Sequence, residues 1–163
     1  MPESESVQKL VRRQVRSPRS AALAGILFSL LIGASMFLLR GNAIVDPAQV
    51  SAEWLEAGSS TASVVLVLVP FAGIAFLWFT GVMRDLLGDR EDKFFATVFL
   101  GSGIVLVVML FVWGAAYGAI FGTYKLVADV ASDYDVLAYA SIFTSQIIGN
   151  YFLRMAGVYM LST

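Results

Sequence analysis

Three polar side chains, Gln146, Asn150 and Arg154, recur at i, i+4 and i+8 inside an otherwise apolar stretch. On a helix that spacing puts them on one face. Two amides beside a guanidinium could bind an anionic group or line a polar pathway. The same three could instead be structural, with Gln146 and Asn150 hydrogen-bonding to neighbouring helices and Arg154 anchoring a helix end at a membrane surface.

A second group of chemically capable side chains lies in Met83-Arg84-Asp85-Leu86-Leu87-Gly88-Asp89-Arg90-Glu91-Asp92-Lys93, where Asp85 and Asp89 are spaced D-x-x-x-D and Asp92 follows. That spacing invites a metal–pyrophosphate reading, as in membrane enzymes that transfer phospho-alcohols. Their longer signature, an Asp-Gly start with an Ala-Arg pair, is missing here. Asp89 and Asp92 are better read as an N-cap and a first-turn acid favoured by the positive end of the next helix dipole. The chain has no Cys and no His. This removes disulfides, thiolate nucleophiles, Fe–S ligation, the usual axial haem ligand, the commonest zinc ligand and the default proton relay. The expectation is no catalytic or metal site, no cofactor and no nucleic-acid partner.

The elements that carry these residues are membrane helices. From Phe94 to Phe121 there are 28 residues without a charge. At about 1.5 Å per residue a helix of that length measures about 42 Å, against roughly 30 Å of hydrocarbon in a bilayer. Ala21–Leu39 is a second uncharged run, bracketed by Arg19 and Arg40 and longer than the roughly 7 to 15 apolar residues of a signal peptide. Ala62–Met83 is a third, with Pro70 and Gly73 near its middle, where a kink is expected. The fourth and least apolar starts at Val136. Hydrophobic residues make up 58% of the chain and charged ones 14%, against about 25% charged in soluble domains. The fold class is therefore all-α, an integral membrane bundle of four transmembrane helices at about 21–39, 62–83, 94–121 and 136–157. One membrane domain covers 20–163, after a tail over 1–19. Runs this long exclude a closed barrel. Lipid does not tolerate the face of Gln146, Asn150 and Arg154: Arg alone costs about 2.5 to 3.5 kcal/mol at a helix centre. The row should therefore face the bundle or a watery cavity, with Arg154 snorkelling to headgroups.

Basic residues set the orientation. Lys9, Arg12, Arg13, Arg16 and Arg19 precede span one, Arg84, Arg90 and Lys93 join spans two and three, and Arg154 closes span four; the other side has only Arg40 and Lys125. The positive-inside rule makes both termini cytoplasmic. In the tail, Val7, Leu10, Val11 and Val15 repeat at helical spacing between the basic residues, a basic amphipathic helix suited to anionic headgroups. In the first outer loop, Asp46, Pro47 and Gln49 form a helix start and Gly58 a stop. They outline a short interfacial helix over about 47–57, anchored by Trp54.

Small residues recur every fourth position in two spans: Ala21, Gly25, Ser29 and Gly33 in the first, Gly114, Gly118 and Gly122 in the third. Each row is a groove for close helix packing, within one bundle or between subunits. Gly101-Ser102-Gly103 marks a bend or the close approach of a ligand in span three, without the context of a phosphate loop. That span is expected to be the most tightly packed and the place where a partner or second copy docks.

The stretch FAGIAFLWFTGVMRDLLGDREDKFFATVFLGSG, from Phe71 to Gly103, resembles a family of uncharacterised multi-spanning membrane proteins common in actinobacteria, and NYFLRMAGVYMLST, from Asn150 to Thr163, extends the resemblance. The resemblance implies a bacterial cell-membrane protein and no particular activity. Members of that family continue into further apolar segments, whereas this chain stops at Met160-Leu161-Ser162-Thr163, as expected of a short form or a truncated one. The leading expectation is a non-enzymatic scaffold or accessory subunit, surrounded by membrane lipids and packed as a homo-oligomer or against another membrane protein. The alternative is a small transporter or channel component for an anionic or lipid-like solute, using the polar face of span four. An intramembrane enzyme would rest on the inner-loop acids alone.

Overall fold

The computed structural model describes residues 18–40, 52–87, 93–126 and 134–162. They form helices α1 (Pro18–Leu39), α2 (Ala52–Leu87), α3 (Lys93–Leu126), α4 (Tyr134–Gln146) and α5 (Leu153–Leu161), and a wide π-helical turn over Ile147–Phe152 joins the last two into one rod. This gives four helices long and apolar enough to cross a membrane. Helix is the form these sequences must take in lipid, where every backbone N–H and C=O has to find its partner within the segment. Residues 1–17 of the basic tail, the inner-loop residues Asp89 and Asp92, and residues 41–51 of the first outer loop lie outside the described residues.

The chain runs up, down, up and down. α1 lies along α2, α2 along α3, and the fourth span lies on α3. Two apolar clusters hold the bundle. One, toward the start of α2, includes Leu55, Val65, Leu110, Trp113 and Phe121. The other, toward its end, is built on Phe76, Phe99, Leu106 and Tyr159. The second span is the most enclosed, not the third: 39% of its apolar window is buried, against 33%. Lying between α1 and α3, α2 is covered on two sides.

One other expectation changes. The short helix expected over about 47–57 is not separate across its described part, because 52–57 form the first turns of α2. Packing overrides the stop at Gly58: Leu55 is fully buried, and the Trp54 ring sits 5.4 Å from that of Phe121. These contacts outweigh the roughly 1 kcal/mol that a mid-helix Gly costs. α2 continues through Pro70, and α3 runs unbroken through Gly101-Ser102-Gly103. Irregular helix appears at Ile147–Phe152, where the Leu153 N–H reaches back five residues to the Ile148 carbonyl.

The small-residue rows are used only in part, and the reason is geometric. A step of four residues overshoots a 3.6-residue turn by about 40°, so a row of four members swings through about 120°. Ala21 is buried and Gly25 lies against the Phe79 ring at 3.3 Å, but Ser29 and Gly33 have rotated to the outside. In α3, Gly114 receives Val69 and Gly118 receives Leu66, while Gly122 faces open space. The two grooves are thus filled where they are filled by α2 of the same chain. A β-carbon at position 118 would lie 2.6 Å from Leu66. Gly118→Leu should therefore lower stability by about 1 to 3 kcal/mol through overpacking, and Gly122→Leu should leave it unchanged; unfolding midpoints in mixed micelles measure both.

Candidate functional site at the fourth span

α4, the wide turn and α5 bury a single stripe against the bundle, through Leu137, Ser141, Thr144, Ile147 and Tyr159. Gln146, Asn150 and Arg154 are elsewhere. Gln146 and Arg154 are exposed and Asn150 is half-buried, so the row faces away from the other helices. The sequence expectation had this face turned inward. It fails because the amphipathic logic has two candidate polar faces to choose from here: the hydroxyl residues Ser141 and Thr144 take the bundle side and the longer amides the outer one. The three residues nonetheless stay in a column. A regular helix would let an every-fourth-residue row drift, as it does in α1, but the wide turn spends one more residue per turn and cancels the drift between Gln146 and Arg154.

Within the column the Asn150 Nδ2 amide donates to Gln146 Oε1. The fourth span covers 135–161, so this pair brackets its midpoint, each member within about 3 Å of it along the axis. Arg154 is about 9 Å from the midpoint, near enough to the hydrocarbon boundary for its guanidinium to reach headgroup level. Electrostatically the site is an uncharged amide pair at mid-depth with a cation below it.

Two grooves flank α4. Each holds about 230 Å³. One lies against the end of α3, between Ala116, Ile120, Leu137 and Phe143. The other opens between α1 and α4 over Met36, Trp113, Tyr117, Thr144 and Ser145. The hydroxyls of Ser141 and Thr144 donate to the carbonyls of Ala138 and Ala140 in their own helix, leaving oxygen lone pairs as the polar surface of this second groove. Neither groove is lined by Gln146, Asn150 or Arg154. Asp85, the described member of the inner-loop acids, is exposed on the last turns of α2.

A polar contact between helices was not singled out by the spacing of residues. The hydroxyls of Thr80 and Tyr159 meet at 3.0 Å, joining α2 to α5. Gly103 of α3 makes room for it, with the Tyr159 ring 3.1 Å from where a β-carbon would stand. The ring is stacked on Phe99 at 4.6 Å and leans on Phe76 at 5.0 Å. Where a bend or the close approach of a ligand was expected at Gly101-Ser102-Gly103, the group that approaches Gly103 is a tyrosine of the same chain. A lone threonine late in an apolar span, opposite a tyrosine near the chain end, was the available hint.

Fold and site together define a four-span integral membrane helical bundle with a polar column on its outer surface. In comparisons with family models, curated proteins and solved structures, nothing matches the chain. Its chemistry has to be argued from its own residues. Tyr159→Phe should remove the hydrogen bond while keeping the stacked ring, costing about 0.5 to 1.5 kcal/mol. Thr80→Val should cost about the same, and the double variant little more than either, as read from unfolding midpoints in the same micelles.

Proposed function

We propose that this chain is a non-enzymatic integral protein of a bacterial cell membrane, a scaffold or accessory subunit that packs with itself or with another membrane protein. One observation carries the reading: an amide pair at mid-depth of the fourth span stands on the side turned away from the bundle. In hydrocarbon, polar side chains gain by being covered by protein, which offers hydrogen bonds that lipid tails lack. The small-residue rows give weaker support than their spacing implied, since Ala21, Gly25, Gly114 and Gly118 are engaged within the chain. Ser29, Gly33 and Gly122 keep their open faces.

The alternative of a transporter or channel component for an anionic or lipid-like solute uses the same column. It needs a second wall, because neither of the two grooves beside α4 borders the column. The packing role therefore comes first. The resemblance to actinobacterial multi-spanning proteins is part of this proposal, as are the cytoplasmic placement of both termini and a basic tail resting on anionic lipid.

Extraction of the full chain from its native membrane in mild detergent should yield a stoichiometric assembly, homomeric or with one other membrane protein, identified by mass spectrometry. Recovery as single copies with lipid alone would sink the reading. For orientation, Ser4→Cys in the otherwise cysteine-free chain should react with an impermeant maleimide only after the membrane is opened; labelling of sealed cells would reverse the topology.

A further inference from the structure

We propose that the outer face of the fourth span is a self-recognition surface, on which two copies meet through their Gln146–Asn150 amide pairs at the centre of the membrane. This rests on the packing role above and names the partner as a second copy.

The hydrogen-bond inventory points to it. The Asn150 Nδ2 donates to Gln146 Oε1, which leaves unspent the two N–H groups of Gln146, one N–H of Asn150 and the Asn150 carbonyl oxygen. Donors and an acceptor stand one helical turn apart, about 6 Å along the axis. Such a patch complements itself under a two-fold axis, the symmetry of the commonest dimers. The Gln146 amide of each copy donates to the Asn150 Oδ1 of the other, and no charge has to be matched. Lipid tails supply neither partner, so the exchange is favourable in the medium where the patch sits.

The surroundings fix how the copies meet. Tyr139 and Ile142 continue the face on one side of the amides, 71% and 60% exposed, and form an apolar shoulder. On the other side Arg154 would face its own copy, and like charges hold that end apart while each guanidinium reaches for lipid phosphate. Two fourth spans therefore cross at the amides, stay in contact toward Ile142 and diverge toward Arg154.

The test uses the full chain in phosphatidylcholine–phosphatidylglycerol vesicles, with its lack of native cysteine as an advantage. Ile142→Cys, one turn from Gln146, should cross-link between copies, and Leu30→Cys, exposed on α1, should not. Adding Gln146→Leu and Asn150→Leu should abolish that cross-link and raise the dimer dissociation constant, followed by energy transfer on lipid dilution, at least about tenfold. Gln146 is exposed and Asn150 half-buried, so an unchanged helical spectrum and unfolding midpoint confirm that the double variant is folded. A dimer indifferent to the double substitution, or cross-linked through Leu30→Cys, overturns this surface and leaves the packing role standing. Single copies in vesicles together with a stoichiometric second protein from the native membrane overturn the second copy but not the packing role. Single copies with no companion in either setting overturn both.

Discussion

Hydrocarbon outside a membrane helix is as apolar as the leucines on its surface, so the spans gain nothing by hiding side chains from their solvent. Association has to come from shape and from hydrogen bonds, and both are visible at particular residues. Gly118 admits Leu66, Gly73 admits Phe111, and Gly103 admits Tyr159. At each place a missing side chain on one helix is the seat of a large one on its neighbour. The large apolar groups left over, such as Leu30, Phe37, Phe71 and Ile74, stand exposed to lipid.

Polarity is handled in three ways. Hydroxyls such as Ser29, Ser35 and Thr123 turn back onto carbonyls of their own helix, which makes them harmless in lipid. Thr80 and Tyr159 spend theirs on each other and so join two helices that are far apart in sequence. Gln146 and Asn150 do something between the two, pairing along one helix but leaving capacity facing outward. Among the described residues, no buried side-chain nitrogen or oxygen is left without a partner. Among these residues the hydrogen-bonding capacity left over lies on the surface of the bundle.

Much of the fold was legible in residue order, because charge-free length alone decides what crosses a bilayer; Phe94–Phe121 admits no other reading. The limits of the helices were less so: nothing local to Gly58 reveals that Leu55 is buried in the core and Trp54 lies against Phe121 of α3. The polar column was legible as a column, but its direction was not. Which side of a helix faces its neighbours depends on the competition between Ser141–Thr144 and Gln146–Asn150, and the neighbours settle it. The small-residue rows misled for a related reason, since spacing by fours tracks a helix surface for only about two members before curving off the contact. The Thr80–Tyr159 contact joins residues 79 positions apart, beyond the reach of any periodicity.

The wide turn at Ile147–Phe152 acts as a phase setter for everything after it. Winding the same six residues as regular helix would turn the rest of the span by about 100°. Tyr159 would swing off Thr80, and Arg154 would leave the line of the amides. One backbone irregularity thus keeps two otherwise unrelated features in step, an internal tether and an external face. The tether holds the end of the rod to the second span, so the outer face is presented at a fixed angle to the membrane, and its bearing is inherited from the core.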